Sequence, residues 1–402
     1  MIAVMQRAVQ ESQNFDKFYC RPLQEGDASY NLLIMDIAII GIGGMGRSVI
    51  QHLLEADCAS RLIACDRNGD AFGDPRFSEL SKDARVVSTT NLSDVLDDPS
   101  VGLAFITTTN AAHAPLATAC LEAGMAVMCE KPIATTIDDA RQLVELADRT
   151  NGFLQIGFEL RYSTLYSTVK NWIDAGLLGE VRNTHCTYTC SARERGEWRD
   201  DPDLGGSMFG EKLSHYVDLP RWWIGSPVTE VYSICSPNTT PDMGVRDNYH
   251  TSYRFESGAV SHLSFQLGMA AAFDGDPLQN AVSQQLDDGH ELRFLVVGDR
   301  GAAATDVFRR TIRRWAFEPG ETKMISRLVE QDTWEADDDH RYFHNTRDQT
   351  LDVVRRVREG LPPSLAPADA LQTMELCFAA EQSADTQRPT FLDPHASTLN
   401  VF

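Results

Sequence analysis

The sequence predicts an α/β fold: an N-terminal doubly wound parallel sheet, then a C-terminal α+β domain with an open, mostly antiparallel sheet. Two observations carry this. Up to about residue 157, short apolar runs alternate with amphipathic helical patterns, the rhythm of βαβ units. Beyond it, strand-like stretches recur without regular helices between them, the rhythm of an antiparallel sheet. A third observation, the glycine pattern at 41–46, sets the type of the parallel sheet. The expected divisions are an N-terminal extension at 1–34, the parallel-sheet domain at 35–156, a substrate and oligomerisation domain at 157–365, and a C-terminal helix and tail at 366–402.

The first strand is Ile37 to Ile40, an apolar run of the kind buried in parallel sheets. Gly41, Gly43 and Gly46 follow as G-x-G-x-x-G, and Val49, Leu53 and Leu54 recur at helical spacing. The first glycine permits the tight turn, the second lets backbone approach a pyrophosphate, and the third lets helix pack on strand. The helix that opens there aims its amides and dipole at phosphate, so Gly44 and Met45 join the cofactor-binding residues. A second strand, Leu62 to Cys65, ends in Asp66, 20 residues after Gly46. A carboxylate there accepts hydrogen bonds from a ribose diol and repels a 2′-phosphate, which favours NAD; Arg67 beside it leaves NADP open. Strand, glycines, helix, strand and acid in this order make a Rossmann unit rather than a chance glycine-rich turn.

Further on, Val101 to Thr107 reads as a strand ending in Thr108, Thr109 and Asn110, with His113 and a helix through Leu121 beyond. Ala126 to Cys129 is the next strand, followed by Glu130, Lys131 and Pro132; then come a helix at 138–149 and a strand at 153–158. Ligands of open parallel sheets bind at the carboxyl ends of strands, so these polar groups should face one crevice. In the second domain, strands are expected at 182–190, 228–235, 249–255, 258–267 and 291–297, a loop at 274–289, a charged surface segment at 337–344 and a helix at 366–384.

The net charge of −22 argues against nucleic acid and anionic membrane as partners. Arginine greatly outnumbers lysine, which fits either adaptation to salt or genome composition. Nine cysteines lack any C-x-x-C pair, which points to a reducing cytoplasm rather than a secreted disulfide framework. No apolar run reaches the length of a membrane span and no signal-peptide core precedes the first strand. Glu211, His215 and Asp218, or His340 and His344, could be read as metal ligands, but neither set has a zinc-site pattern, and no metal is expected.

Together the glycine motif, Thr109-Asn110-x-x-His113, Glu130-Lys131-Pro132, Gly157-Phe158 with Arg161-Tyr162, Trp198-Arg199, and Gly205-Gly206 followed by Glu211, His215 and Asp218 resemble the Gfo/Idh/MocA oxidoreductase family over residues 35 to 390. The resemblance implies hydride transfer between a tightly held nicotinamide and a hydroxyl carbon of a sugar, cyclitol or glycoside. It also implies a homo-oligomer, dimer or tetramer, built on the open sheet. The family's catalytic trio is the Lys of Glu-Lys-Pro with an Asp and a His from Asp-x-Gly-x-His; the matching positions are Lys131, Glu211 and His215. Two departures stand out: Glu211 replaces the Asp, and Leu213 replaces the Gly.

Oxidising an alcohol needs a base for the hydroxyl proton while hydride leaves. His215 suits by its near-neutral pKa. Glu211, four residues earlier on a helix, would share its face and orient the ring or bind a substrate hydroxyl, and Asp218 lies on roughly the same face. Lys131 can hydrogen-bond the reacting oxygen or shuttle the proton. A lone lysine is ordinarily a solvated charge and a lone histidine ordinarily structural; the family pattern raises both. Asn110 and His113 are read as lining the nicotinamide side, Glu130 as binding a cofactor ribose, and Thr108 and Lys131 as further cofactor-binding residues, against local pairing for Glu130, helix capping for Asn110 and a plain strand end for the threonine. Arg161, Tyr162, Trp198, Arg199 and Asp218 are read as the substrate wall, with core packing the competing role for the aromatics. Two other functions compete: a glycosidase that oxidises, eliminates, hydrates and reduces back, and a non-catalytic sugar or nucleotide sensor.

Overall fold

The structure, a computed structural model, describes residues 35–191, 198–240, 243–269 and 290–393. The N-terminal extension, the expected loop at 274–289 and the end of the tail lie outside the described residues. The first sheet has six parallel strands: β1 (Asp36–Ile40), β2 (Leu62–Cys65), β3 (Val86–Thr89), β4 (Val101–Ile106), β5 (Ala126–Glu130) and β6 (Leu154–Gly157), in the order β3-β2-β1-β4-β5-β6. Strand order reverses between β1 and β4, so the crevice at their carboxyl ends is where a dinucleotide binds. Ile37, Ala38 and Ile39 are fully buried because helices cover both faces. Of those, α1 (Gly44–Glu55) leaves the glycine loop, α2 (His113–Glu122) follows β4, and α3 (Ile137–Thr150) follows β5.

Among the described residues the second sheet has nine strands, β7 (Val181–Ser191), β8 (Val228–Ile234), β9 (Asn248–Phe255), β10 (Val260–Met269), β11 (Glu291–Gly298), β12 (Gly301–Asp306), β13 (Thr311–Pro319), β14 (Met324–Thr333) and β15 (Thr390–Phe391). Their order is β14-β13-β12-β11-β7-β10-β9-β8-β15, antiparallel except for the central β7–β10 pair. Alternate residues of the central strands turn inward: Cys186 and Tyr188 from β7, Leu263 and Phe265 from β10, Phe294 and Val296 from β11. They pack with residues of α4 (Thr164–Asp174), α5 (Ser214–Ile224) and the late helix discussed below. The opposite face carries exposed Leu295, Tyr232, Ile234 and Leu328.

Two late helices return to the first domain. α6 (Thr346–Glu359) packs on α1, with Leu351, Val353 and Val354 in that core. α7 (Pro367–Thr386) contributes Ala370 and Met374 to the first domain's core and Leu376, Cys377 and Ala380 to the second's, so one helix stitches both. Among the described residues no helix is long and apolar enough to cross a membrane.

Candidate active site

The glycine loop has the shape a pyrophosphate needs. Gly41 adopts φ +100°, and a Cβ on Gly46 would lie 2.0 Å from the Gly41 carbonyl oxygen, so loop and helix touch backbone to backbone. Around Gly43, by contrast, nothing lies within 4 Å of a built Cβ, and its residue offers no side-chain cap to the amides of α1. Open space in front of uncapped helix amides fits a phosphate group. Gly44 is exposed and Met45 half-buried at the same mouth. Asp66 stands at the tip of β2. Its carboxylate accepts from the Ile42 N–H at 2.8 Å and the Asn68 N–H at 2.9 Å, which ties acid to loop and leaves lone pairs for a ribose diol. Arg67 is exposed beside it. These residues fit NAD.

At the ends of β4 and β5 the polar residues organise one another. His113 is almost fully buried; its Nδ1–H donates to the Pro132 carbonyl at 2.7 Å, and Nε2 lies 3.3 Å from the Thr108 carbonyl. Burial lowers its pKa to about 4, so the ring is neutral at pH 7 and acts as a brace for the Lys131–Pro132 turn. The Asn110 Nδ2 donates to the Gly205 carbonyl at 2.8 Å and ties the first domain to the loop at 198–210. Lys131 Nζ donates to the main-chain carbonyl of Glu211. Residues 209–213 make one wide π-helical turn before α5, and such turns recur at functional sites.

His215, 3% exposed, sits on α5 against the edge of the Phe158 ring, centroids 5.7 Å apart. Its facing carboxylate is not Glu211. It is Glu159, at the end of β6, whose Oε2 lies 3.3 Å from His215 Nε2. The other oxygen, Oε1, accepts from His344 Nδ1–H at 2.7 Å. Glu211 turns instead to Arg199, whose Nε donates to Oε1 at 3.0 Å, and Arg199 stacks 4.4 Å from the centre of the Trp198 ring. Trp198, Arg199, Glu211 and Lys131 are therefore connected, half-buried groups on one wall.

Asp218 and Tyr162 are satisfied inside the protein rather than presented to a cleft. Asp218, 1% exposed, takes a bidentate bond from Arg161 at 2.7 Å on each arm and a third from Thr373 at 3.0 Å. Arg161 also reaches Asp369 at 3.1 Å. The Tyr162 hydroxyl donates to Asp352 at 2.8 Å. Both positions sit where the two domains meet, and an ion pair buried this deeply fills its hydrogen bonds from its own neighbours.

Charge is distributed unevenly across this crevice. Burial, reinforced by the Glu159 charge, raises the Glu130 carboxyl to about 8; Gly157 makes room for it, since a Cβ there would lie 2.7 Å from Oε2. Burial pushes Glu159 upward too, but His215, the His344 hydrogen bond and Lys131 hold it down to about 2. Burial lowers His215 to about 4, partly offset by Glu159 and aided by Lys131 and His344. At neutral pH the site thus holds an ionised Glu159, a neutral His215 and a largely protonated Glu130.

Two members of this group escaped sequence reasoning. Glu159 follows Gly157-Phe158 at a strand's carboxyl end, a position that could have flagged it. His344 closes the segment read as a charged surface; Asp337, Asp338, His340 and Arg341 are exposed as expected, while Arg310 anchors Asp339 at 2.7 and 2.8 Å, His340 bonds Thr346 at 2.9 Å, and only the end of the segment, Phe343 and His344, turns inward.

Comparison with known proteins agrees with this geometry. Residues 35–158 match an oxidoreductase family with an NAD-binding Rossmann fold, and residues 166–304 match the GFO/IDH/MocA C-terminal domain. The chain is 23% identical over 362 residues to the myo-inositol 2-dehydrogenase of Thermotoga maritima, across 89% of this chain and 99% of that protein. It is 24% identical over 287 residues to the inositol 2-dehydrogenase of Streptomyces avermitilis, across 70% of this chain and 80% of that one. Among solved structures, levoglucosan dehydrogenase in complex with NADH and levoglucosan aligns with a TM-score of 0.73 at 19% identity, over 89% of this chain and 99% of that chain. At that identity the structural likeness speaks to the fold.

Proposed function

Because the chain belongs to the Gfo/Idh/MocA oxidoreductase family and is an NAD-dependent dehydrogenase acting on CH–OH groups, we propose that its substrate is a small polyhydroxylated molecule: a sugar, a cyclitol or a glycoside. The observation that carries this reading is the meeting of a lysine from one domain with a neutral, buried imidazole from the other. Lys131 directly follows β5, and its Nζ donates to the carbonyl of Glu211, four residues before His215 on α5. Relatives named for inositol and levoglucosan support the substrate class.

When bound, NAD supplies the hydride acceptor. Gly43, Gly44, Met45 and the amides of α1 hold its phosphates, and Asp66 holds its adenosine ribose. Lys131 donates a hydrogen bond to the reacting oxygen and stabilises the negative charge that grows there as the C–H bond breaks. His215 takes the hydroxyl proton; a neutral ring has the free lone pair this requires. Trp198 offers an apolar face to substrate C–H groups, and Arg199 with Glu211 offers hydrogen bonds to its other hydroxyls. Thr108 and Glu130 border the nicotinamide side. In the reverse direction the same groups return the proton. We also read the chain as a homo-oligomer through the open face of the second sheet. The eight described cysteines are thiols, which suits a cytoplasmic setting.

The test is turnover of NAD with aldoses, inositols, uronates and aryl glycosides, following cofactor absorbance and product mass together. Reduced cofactor with a ketone product is expected. Lys131→Ala should lower kcat/KM by at least about 100-fold, the scale of lost transition-state stabilisation, while still binding NADH. Aglycone release without net cofactor change would move the assignment to a redox-assisted glycosidase. NADH binding with no turnover across the panel would leave a sensor.

A further inference from the structure

The reading above leaves His215 without an orienting partner from its own helix, and its two ring nitrogens form no hydrogen bond with the described residues. A buried imidazole that must take a proton at one nitrogen needs its tautomer set at the other. The group facing Nε2 is the Glu159 carboxylate at 3.3 Å. Its Oε2 is likewise buried and has no hydrogen-bond partner among the described residues. Two unsatisfied buried polar atoms facing each other need only a small ring rotation to form a charge-assisted N–H···O bond. Glu159 is itself braced: Oε1 takes the His344 hydrogen bond at 2.7 Å, and the residue opens a short turn at 159–161 directly behind β6. The carboxylate is therefore held by the scaffold, on the end of a strand, rather than by the imidazole it faces.

We infer that Glu159 is the positioning residue of the reaction: it accepts Nε2–H from His215, leaves Nδ1 as the proton acceptor, and supports the imidazolium that forms. This rests on the reading of His215 as the base. In the forward step the substrate O–H bond breaks, its proton bonds to Nδ1, and the hydride leaves with the C–H electron pair. The cation so formed is paired with Glu159 through Nε2–H, and it loses its proton to solvent before the next turnover. His344, one-third exposed at its side chain, sits on the solvent side of the same carboxylate. The titratable groups acting on His215 are Glu159, Lys131, His344 and Asp218, and those acting on Glu159 are Lys131, His215, His344 and the neighbouring Glu130 carboxyl.

The experiment compares wild type, His215→Gln, Glu159→Gln and Glu159→Asp, reading NADH binding, kcat, KM and the pH profile of kcat/KM for alcohol oxidation. Glu159 raises the basicity of His215, so its neutral isostere should move the acid limb to lower pH, by roughly one unit. It should also lower kcat by about 10- to 100-fold, within the range of acid–base contributions. KM and NADH binding should hold. Glu159→Asp keeps the charge at a shorter reach and should fall between. A Glu159→Gln enzyme with the wild-type limb, whether or not its rate falls, overturns the inference. Should that variant fail to fold, Glu159→Asp decides by the same limb, an unmoved limb again overturning it. If His215→Gln retains wild-type kcat, the reading of His215 itself has failed, a result separable from a silent Glu159 beside an inactive His215 variant.

Discussion

Gly43 and Gly46 belong to one motif but are required for different reasons, and substitution separates them. An alanine at 46 would drive its methyl to 2.0 Å from the Gly41 carbonyl oxygen and 2.9 Å from Thr107 Oγ1. The first of these is backbone and cannot swing away, so Gly46→Ala should lose about 1–3 kcal/mol of stability, as overpacked sites do. Gly43 has φ −73° and ψ −164°, which alanine adopts freely, and its methyl would meet nothing. Gly43→Ala should melt within about a degree of wild type, since surface changes away from packing stay near zero. Its methyl would fill the approach of the pyrophosphate, so its NADH affinity should fall by at least about tenfold. Thermal melts with and without NADH measure both effects. A Gly43→Ala protein that binds NADH normally would mean that the cofactor does not approach the loop there.

At the scale of elements, α7 is the seam between domains, and its charges meet those of the segment after β6 and of α5. Arg161 bridges Asp218 and Asp369, while Arg221 reaches the Asp369 carboxylate at 2.9 Å and Thr373 at 2.7 Å. Asp218→Asn would leave Arg161 buried with half its compensation, and removing one partner of a buried pair costs about 3 kcal/mol. The expected outcome is a lower urea midpoint at unchanged m, with substrate KM unchanged. A raised KM at full stability would return Asp218 to the substrate wall. This seam was the least legible part of the sequence. Strands β1, β4 and β5 read clearly because both faces are buried and the runs are wholly apolar. β11 read clearly because its burial alternates. β12 is a run of small residues, and β13 and β14 carry charges with little burial, so no period marks them. α6 turns Val353, Val354 and Val357 to the core but buries Gln349, Thr350 and Asp352 as well, so its apolar stripe is too short to stand out. In the site, Lys131 and His215 were legible through motifs of fixed local spacing. The Glu159–His344 contact joins residues 185 apart, and a carboxylate and a histidine at such distance leave no spacing to read.

For the whole molecule, the second sheet is covered on one face only. Helices α4, α5 and α7 pack the inner face, while the outer carries Leu295 at 44%, Ile234 at 46%, Tyr232 at 39% and Leu328 at 51% exposure. Register places Leu295 beside His185, His185 beside His262, His262 beside Ser252 and Ser252 beside Tyr232, so these side chains lie in one row across the outer face. Beyond them β14 ends the sheet, its outer edge unpaired among the described residues, with Met324 and Ile325 exposed. A long exposed edge and a face with several exposed large apolar side chains are a liability in a free protomer and ordinary in a subunit. A net charge of −22 opposes nonspecific clumping, so the association that remains should be a closed, specific one through this face. Light scattering of the wild-type protein at micromolar concentration should give a dimer or a tetramer. Leu295→Glu lies near the centre of the face, on a side chain that contributes nothing to the inner core. It should therefore shift the population toward the protomer without lowering NADH affinity, because the glycine loop lies in the other domain. A wild-type protein that is monomeric at every concentration, or a Leu295→Glu variant with unchanged mass, would leave this face exposed and the oligomer reading without support.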